Sequence, residues 1–270
     1  MRTGFLWRLT GLSALASSLF LAAGLVWAVA DILHPPAVGP DDPAAGAGDG
    51  RDGPEPDKED KHLDIVALGD SLTTGMGDHA GLGYVGRLKN RLEEAGDRPV
   101  RLLNNLAVNG YRTDQLLADL DKPSVAAAIR NADLILLTIG GNDLFRSLRD
   151  GLDAPDGLTV DGLRAAVREP AERLGRILDR LAAIRPEALV VCVGLYNPFA
   201  DLDGTRETSA AVAEWNAAAS RHALRHPNVL FVPVADLFER HPERYLYTDH
   251  FHPNAEGYER IAERVFRALE

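Results

Sequence analysis

Residues 63–72, Leu-Asp-Ile-Val-Ala-Leu-Gly-Asp-Ser-Leu, decide the fold. Leu63–Leu68 is a short apolar run that stops at Gly69, which reads as a buried strand. Directly after it stand an aspartate and a serine. A serine here projects its hydroxyl from the start of a helix or loop, and its own backbone N–H is free to bind an anion. Four further runs of the same kind follow, at Val100–Leu106, Ala132–Ile139, Ala188–Gly194 and Asn228–Val234. Between and after them lie segments with helical spacing: Tyr84–Ala95, Thr113–Leu120, Leu163–Ile184, Ser209–Arg225 and Asn254–Leu269. Strands alternating with helices pair in parallel through crossovers. The expected fold is therefore α/β, a three-layer α/β/α sandwich around a parallel five-stranded sheet. The stretch Phe145–Glu169 is the least regular, and its Asp-Gly and Ala-Pro signals predict a loop insertion over the site.

Outward from this core the chain changes character. Leu9 to Ala30 is 22 residues without a charge, long enough to cross a hydrocarbon layer as a helix. Arg2 and Arg8 precede it and acidic residues follow, which places the N-terminus in the cytosol and the bulk of the chain outside. Ala28-Val29-Ala30 also has the look of a signal-peptidase site, so residues 1–33 are an anchor or a cleaved signal. Residues 34–61 are rich in Pro, Gly, Ala and Asp without apolar periodicity, the composition of a flexible acidic spacer. Residues 62–270 form the globular domain.

The net charge of -11 excludes nucleic acid as a partner, since a phosphate backbone repels such a chain and no basic stripe offsets it. The single cysteine, Cys192, rules out an internal disulfide framework and any multi-cysteine metal site. It lies inside an apolar run, where a small buried hydrophobe is expected.

In open parallel sheets ligands bind beyond the carboxyl ends of the strands. Four polar clusters fall at such ends or just before the last helix: Gly69-Asp70-Ser71-Leu72, Asn109-Gly110, Gly140-Gly141-Asn142-Asp143 and Asp249-His250-Phe251-His252-Pro253. A serine hydroxyl is a poor nucleophile until a base is hydrogen-bonded to it, and a tetrahedral intermediate needs donors aimed at its oxygen. A glycine such as Gly110 lets a substrate approach the backbone.

These four blocks, in this order, resemble those of the SGNH (GDSL) serine hydrolases. The longer strings GGNDLF (140–145), GLYNPF (194–199) and DHFHPNAEGY (249–258) are similar to its bacterial, membrane-associated lysophospholipase-like branch. The resemblance spans residues 62–270 and implies the flavodoxin-like fold of that family and a carboxylic ester hydrolase. It implies Ser71 as nucleophile, His252 as general base and Asp249 as the carboxylate that holds the imidazole. It further implies an oxyanion hole made by the N–H groups of Ser71 and Gly110 and the side-chain amide of Asn142. No metal or organic cofactor is implied. A lipid or other small ester is the expected substrate. The Gly-x-Ser-x-Gly elbow of α/β-hydrolases is absent around Ser71, so the scaffold differs from theirs.

Each block also has a plainer use. Ser71 and Asn142 are good helix caps, and Gly110 suits an ordinary turn. His250, two residues from His252, suggests a metal pair, but the remaining ligands have no evident source. In an extended segment both histidines would share a face. Asp70 and Asp143 are expected to shape loops by hydrogen bonding. Tyr196-Asn197-Pro198 falls at the rim of the pocket, and Trp215-Asn216 in the core or at its edge. Tyr111 and Arg112 stand where the family often has small residues, which predicts a narrowed site or an anionic head group. Leu144, Phe145 and Leu148 are placed to furnish an apolar groove. Three functions remain: a lipase, esterase or lysophospholipase outside the cytoplasm near the membrane; an O-deacetylase of cell-wall or extracellular carbohydrate; and a silent binding domain.

Overall fold

The computed structural model describes residues 62–96, 98–152, 160–201 and 206–270. The apolar stretch Leu9–Ala30 and the spacer 34–61 lie outside the described residues, as do the side chains of 147–165 and with them Leu148. Among the described residues no helix is long and apolar enough to cross a membrane.

Five strands, β1 (Leu63–Gly69), β2 (Val100–Asn105), β3 (Leu134–Thr138), β4 (Leu189–Val193) and β5 (Val229–Val232), form one sheet in the order β2-β1-β3-β4-β5. Every pairing is parallel. The strands read as unbroken apolar runs because both faces are covered. Ile65, Ala67, Leu134, Leu136, Val191 and Val193 enter one core, whereas Val66, Leu68, Ile135, Leu137, Val190 and Cys192 enter the other. That alternation is the two-residue period of the strand written into three neighbours at once. Burial pushes the Cys192 thiol up to about 12, so it stays a neutral core group.

Helices α1 (Ser71–Thr74), α2 (Gly83–Ala95), α3 (Thr113–Asp119) and α4 (Pro123–Arg130) precede β3. After it come α5 (Gly141–Leu152), α6 (Val160–Ile184), α7 (Glu207–Ala223), α8 (Pro242–Tyr245) and α9 (Ala255–Leu269). Helices α2 and α9 cover the first core through Tyr84, Leu88, Tyr258, Ile261 and Val265. Helices α3 to α7 cover the second through Leu116, Ile129, Leu144, Leu178 and Trp215. The expected three layers are present. The loop expected over Phe145–Glu169 is not. Most of it is helical, the end of α5 and the start of α6, with 153–159 outside the described residues. Two of the Asp-Gly signals, at 150–151 and 161–162, are absorbed into the helices, and only Ala154-Pro155 and Asp156-Gly157 fall between them. Pro170, inside α6, is tolerated in the first half of a 25-residue helix whose buried stripe continues on both sides of it.

The chain leaves β1 toward β2 on one side and returns to β3 on the other. Strand order therefore reverses at the carboxyl ends of β1 and β3, the place where open α/β sheets bind ligands.

Candidate active site

Gly69, the last residue of β1, has φ +128°, and a Cβ there would lie 1.8 Å from the carbonyl oxygen of Thr138 in β3. Glycine is the residue that lets the two strands close up at this point. Asp70 then caps α1: its carboxylate accepts from the N–H of Leu72 at 3.1 Å and from the Thr138 hydroxyl at 2.7 Å. Ser71 thus becomes the first helical residue. No backbone carbonyl among the described residues accepts its N–H or that of Gly110. The expectation that Asp70 shapes the loop holds, and the helix cap is Asp70 rather than Ser71.

Behind Asp70 runs a buried chain of hydroxyls that the sequence did not advertise. Thr73 lies 2.7 Å from Thr138 and 3.1 Å from the phenol of Tyr84. Burial drives the Asp70 carboxyl above the ordinary carboxylate range, against the opposing hydrogen bonds from Thr138 and Leu72. A hydroxyl is unremarkable in any strand, so only its neighbours reveal this use.

Asp249 and His252 lie on the loop between α8 and α9. Ser71 Oγ and His252 Nε2 are 2.9 Å apart, although 181 positions separate them in the chain. His252 Nδ1 is 2.6 Å from Asp249 Oδ2. The other oxygen of Asp249 accepts the N–H groups of Phe251 (2.9 Å) and His252 (3.0 Å). Desolvation raises the Asp249 carboxyl, but these three hydrogen bonds outweigh it and hold the group below the ordinary carboxylate range. An ionised Asp249 fixes the proton on Nδ1 and leaves Nε2 as an acceptor for the serine hydroxyl. The loop is closed by a bridge between Leu246 and Pro253 and by the Tyr247 N–H donating to the His252 carbonyl at 2.7 Å.

His250 does not share a face with His252. It is exposed with φ +55°, at a turn in which its N–H donates to the Tyr247 carbonyl. The expected extended segment is a tight turn, so the two-residue strand period does not hold between these histidines. Among the described residues no group of three or more His, Cys, Asp or Glu is placed to hold a metal ion.

Gly110 has φ +79° and open space where a Cβ would stand, so a ligand can approach its backbone. Its loop is tied to α1, the helix that begins at Ser71, by Thr74 donating to the Asn109 side chain at 2.6 Å. Asn142, at the start of α5, donates through Nδ2 to the carbonyl of Tyr111 at 2.9 Å. That bond orients the amide so that its second N–H is available to the cleft. Asp143 accepts from the N–H (2.9 Å) and hydroxyl (2.7 Å) of Thr113, and Arg173 of α6 reaches both partners. The Gly110 loop and the Asn142 helix are thereby clamped together. Tyr111 turns away to donate to Asp119 at 3.1 Å, and Arg112 pairs with Asp114 at 3.0 Å.

Ser71 and Asn142 open onto a shallow cleft with walls that include Leu72, Phe145, Leu195, Tyr196, Pro198 and Phe251. The expected rim position of Tyr196 and Pro198 holds. Phe145 makes edge-to-face contact with Phe199 and with Phe251, each at 5.3 Å between ring centres. Trp215 is buried under Gly140, where a Cβ would lie 2.0 Å from its ring, and Asn216 brackets Leu195 through both its N–H and its carbonyl.

The GDSL-like Lipase/Acylhydrolase family model matches residues 67–260. The chain belongs to this family. It is 35% identical over 218 residues to the uncharacterized protein YpmR of Bacillus subtilis, covering 79% of this chain and 84% of that protein. It is 31% identical over 213 residues to the spore germination lipase LipC of Bacillus licheniformis, covering 75% of this chain and 94% of that one. Among solved structures it is similar to the lipase Lip_vut3 from a goat rumen metagenome, with TM-score 0.68 and 28% identity over 76% of this chain and 96% of that chain. The family 3 carbohydrate esterase of Clostridium thermocellum, 20% identical with TM-score 0.56, covers 77% of this chain and 99% of that chain and shares the fold. As a GDSL-like acylhydrolase, the chain is a carboxylic ester hydrolase.

Proposed function

We propose that Ser71 is the nucleophile of an esterase or lipase that cleaves esters of apolar acyl groups, with His252 as its base and Asp249 as the orienting carboxylate. The observation that carries this reading is the unbroken line from Ser71 Oγ to His252 Nε2 (2.9 Å) and from Nδ1 to Asp249 (2.6 Å). As Oγ bonds to the ester carbon, Nε2 takes its proton, and Asp249 stabilises the imidazolium. The carbonyl oxygen becomes an oxyanion that accepts from the N–H groups of Ser71 and Gly110 and from Asn142 Nδ2. The imidazolium then protonates the departing alkoxide, leaving an acyl-serine. His252 next draws a proton from water, whose oxygen attacks the acyl carbon; the imidazolium returns that proton to Ser71 Oγ as the acyl bond breaks, releasing the acid and free Ser71.

The cleft supports an apolar acyl group, because five of its walls, Leu72, Phe145, Leu195, Pro198 and Phe251, are hydrocarbon. An O-deacetylase has no need of such walls, and a silent binding domain has no need of the hydrogen-bonded line. The apolar stretch Leu9–Ala30 supports a placement outside the cytoplasm, tethered to the membrane or secreted after cleavage near Ala30.

A fluorophosphonate probe tests the chemistry. The wild-type chain is expected to be labelled and Ser71→Ala to stay unlabelled; equal labelling of both would remove Ser71 as the nucleophile. In the same series Asn142→Ala is expected to lower kcat by about a hundredfold while remaining folded. Full turnover by that variant would take Asn142 out of the oxyanion hole.

A further inference from the structure

Phe251 lies between two functions. Its N–H donates to Asp249 at 2.9 Å, and its carbonyl accepts the Tyr196 hydroxyl at 2.6 Å. Its ring meets the His252 imidazole edge-on, 5.0 Å between centres and 76° between planes. The ring also meets Phe145 at 5.3 Å and Phe199 at 6.0 Å, and it forms part of the wall of the cleft beside Ser71. Tyr196 is itself immobilised: buried, and stacked on Phe238 at 4.1 Å. The backbone of Phe251 is therefore pinned at both polar groups. Its ring, half-buried, is held by aromatic contacts that leave a face toward the cleft.

An apolar acyl group in that cleft would pack against Phe145 and Phe251. Aromatic contacts of this kind are weak and tolerate small ring displacements, so an empty cleft leaves the Phe251 ring less confined. A filled one presses it toward the imidazole. We propose that Phe251 is a positioning residue that converts occupancy of the acyl cleft into correct placement of His252 against Ser71, so that apolar acyl groups are selected in turnover rather than in binding. The inference rests on the reading of Ser71, His252 and the cleft given above. Its physical basis is that binding energy from a non-reacting part of the substrate raises kcat only when it is realised in the transition state. Phe251 is a means of realising it there.

The test is a series of p-nitrophenyl esters from acetate through butyrate and hexanoate to octanoate, on the full chain. On wild type, kcat is expected to rise by about tenfold or more from acetate to its optimum, with KM changing by less than about threefold. Phe251→Ala should compress that rise in kcat to about twofold. Tyr196→Phe keeps the ring stacked on Phe238 and removes only the hydroxyl that pins the Phe251 carbonyl, so it should give an intermediate rise even if Phe251→Ala fails to fold. A chain-length preference carried in KM, a kcat highest on acetate, or an undiminished rise in the folded variants would each overturn the proposal. Fluorophosphonate labelling separates the two levels. Wild type that is labelled but shows its preference in KM sinks the role of Phe251 and leaves the nucleophile standing; wild type that is never labelled sinks both.

Discussion

Between Gly69 and Ser71 sits a carboxylate, Asp70, that is 1% exposed. Its two described hydrogen-bond donors, Thr138 and Leu72, favour the ionised form, yet burial outweighs them and raises its pKa. The sign of the consequence is fixed. A raised folded-state pKa means that the native chain holds a proton that the unfolded chain has released, so stability falls as pH rises from the ordinary carboxylate value of 3.8 through the folded one. Asp70→Asn keeps an acceptor for both donors and carries no charge. Its stability relative to wild type is expected to grow with pH across that window, by at most about 1.4 kcal/mol per pH unit, measured as denaturant midpoints from acid to neutral pH. A constant difference would mean that Asp70 titrates alike in both states. The sequence marked Asp70 as a loop-shaping residue. It did not mark Thr73, Thr138 or Tyr84 as its partners, because a hydroxyl in a strand or helix carries no sign of what faces it across the sheet.

Single elements were legible where one period ruled them. All five strands and the helices α2, α3, α6, α7 and α9 were readable to within a few residues from apolar runs and helical spacing. The short helices α1, α4 and α8 were not, since four to eight residues hold barely a turn or two of pattern. Helix α5 was misread as loop. It starts at Gly141 and carries Asn142 and Asp143, residues that favour caps and turns, and it is held by the clamp to Thr113 and by Leu144 in the core. The β3–α5 junction has its own requirement. Gly140 has φ +107°, and a Cβ there would strike the Trp215 ring. Gly140→Ala is expected to destabilise the fold by about 3 kcal/mol and to lower kcat with it, because Asn142 rides on the displaced helix. Unfolding curves that match wild type would show that Trp215 can move aside without cost.

For the molecule as a whole, the sheet order brings the ends of β1 and β3 together at the reversal point, and the cleft lies there. The proposed tether belongs to this scale. Anchored through Leu9–Ala30, the full chain is expected to remain in the membrane pellet after an alkaline carbonate wash, with the domain released by limited proteolysis within 34–61. Recovery of the intact chain, Met1 included, in the wash would defeat both the anchor and the cleaved signal.

The linear order by itself determined the class of fold and marked the four polar blocks, because burial on both faces of a strand imposes an apolar run and a glycine or cap must stand where the run ends. Beyond the meeting of Ser71, His252 and Asp249 that the family resemblance implied, it carried no sign of who meets whom across the sheet. That Ser71 reaches His252, that Phe145, Phe199 and Phe251 join from three segments, and that Arg173 clamps Asp143 to Thr113 were decided by tertiary closure. Periodicity records whether a side chain is buried, whereas its partner depends on strand order and loop path, which no local pattern encodes.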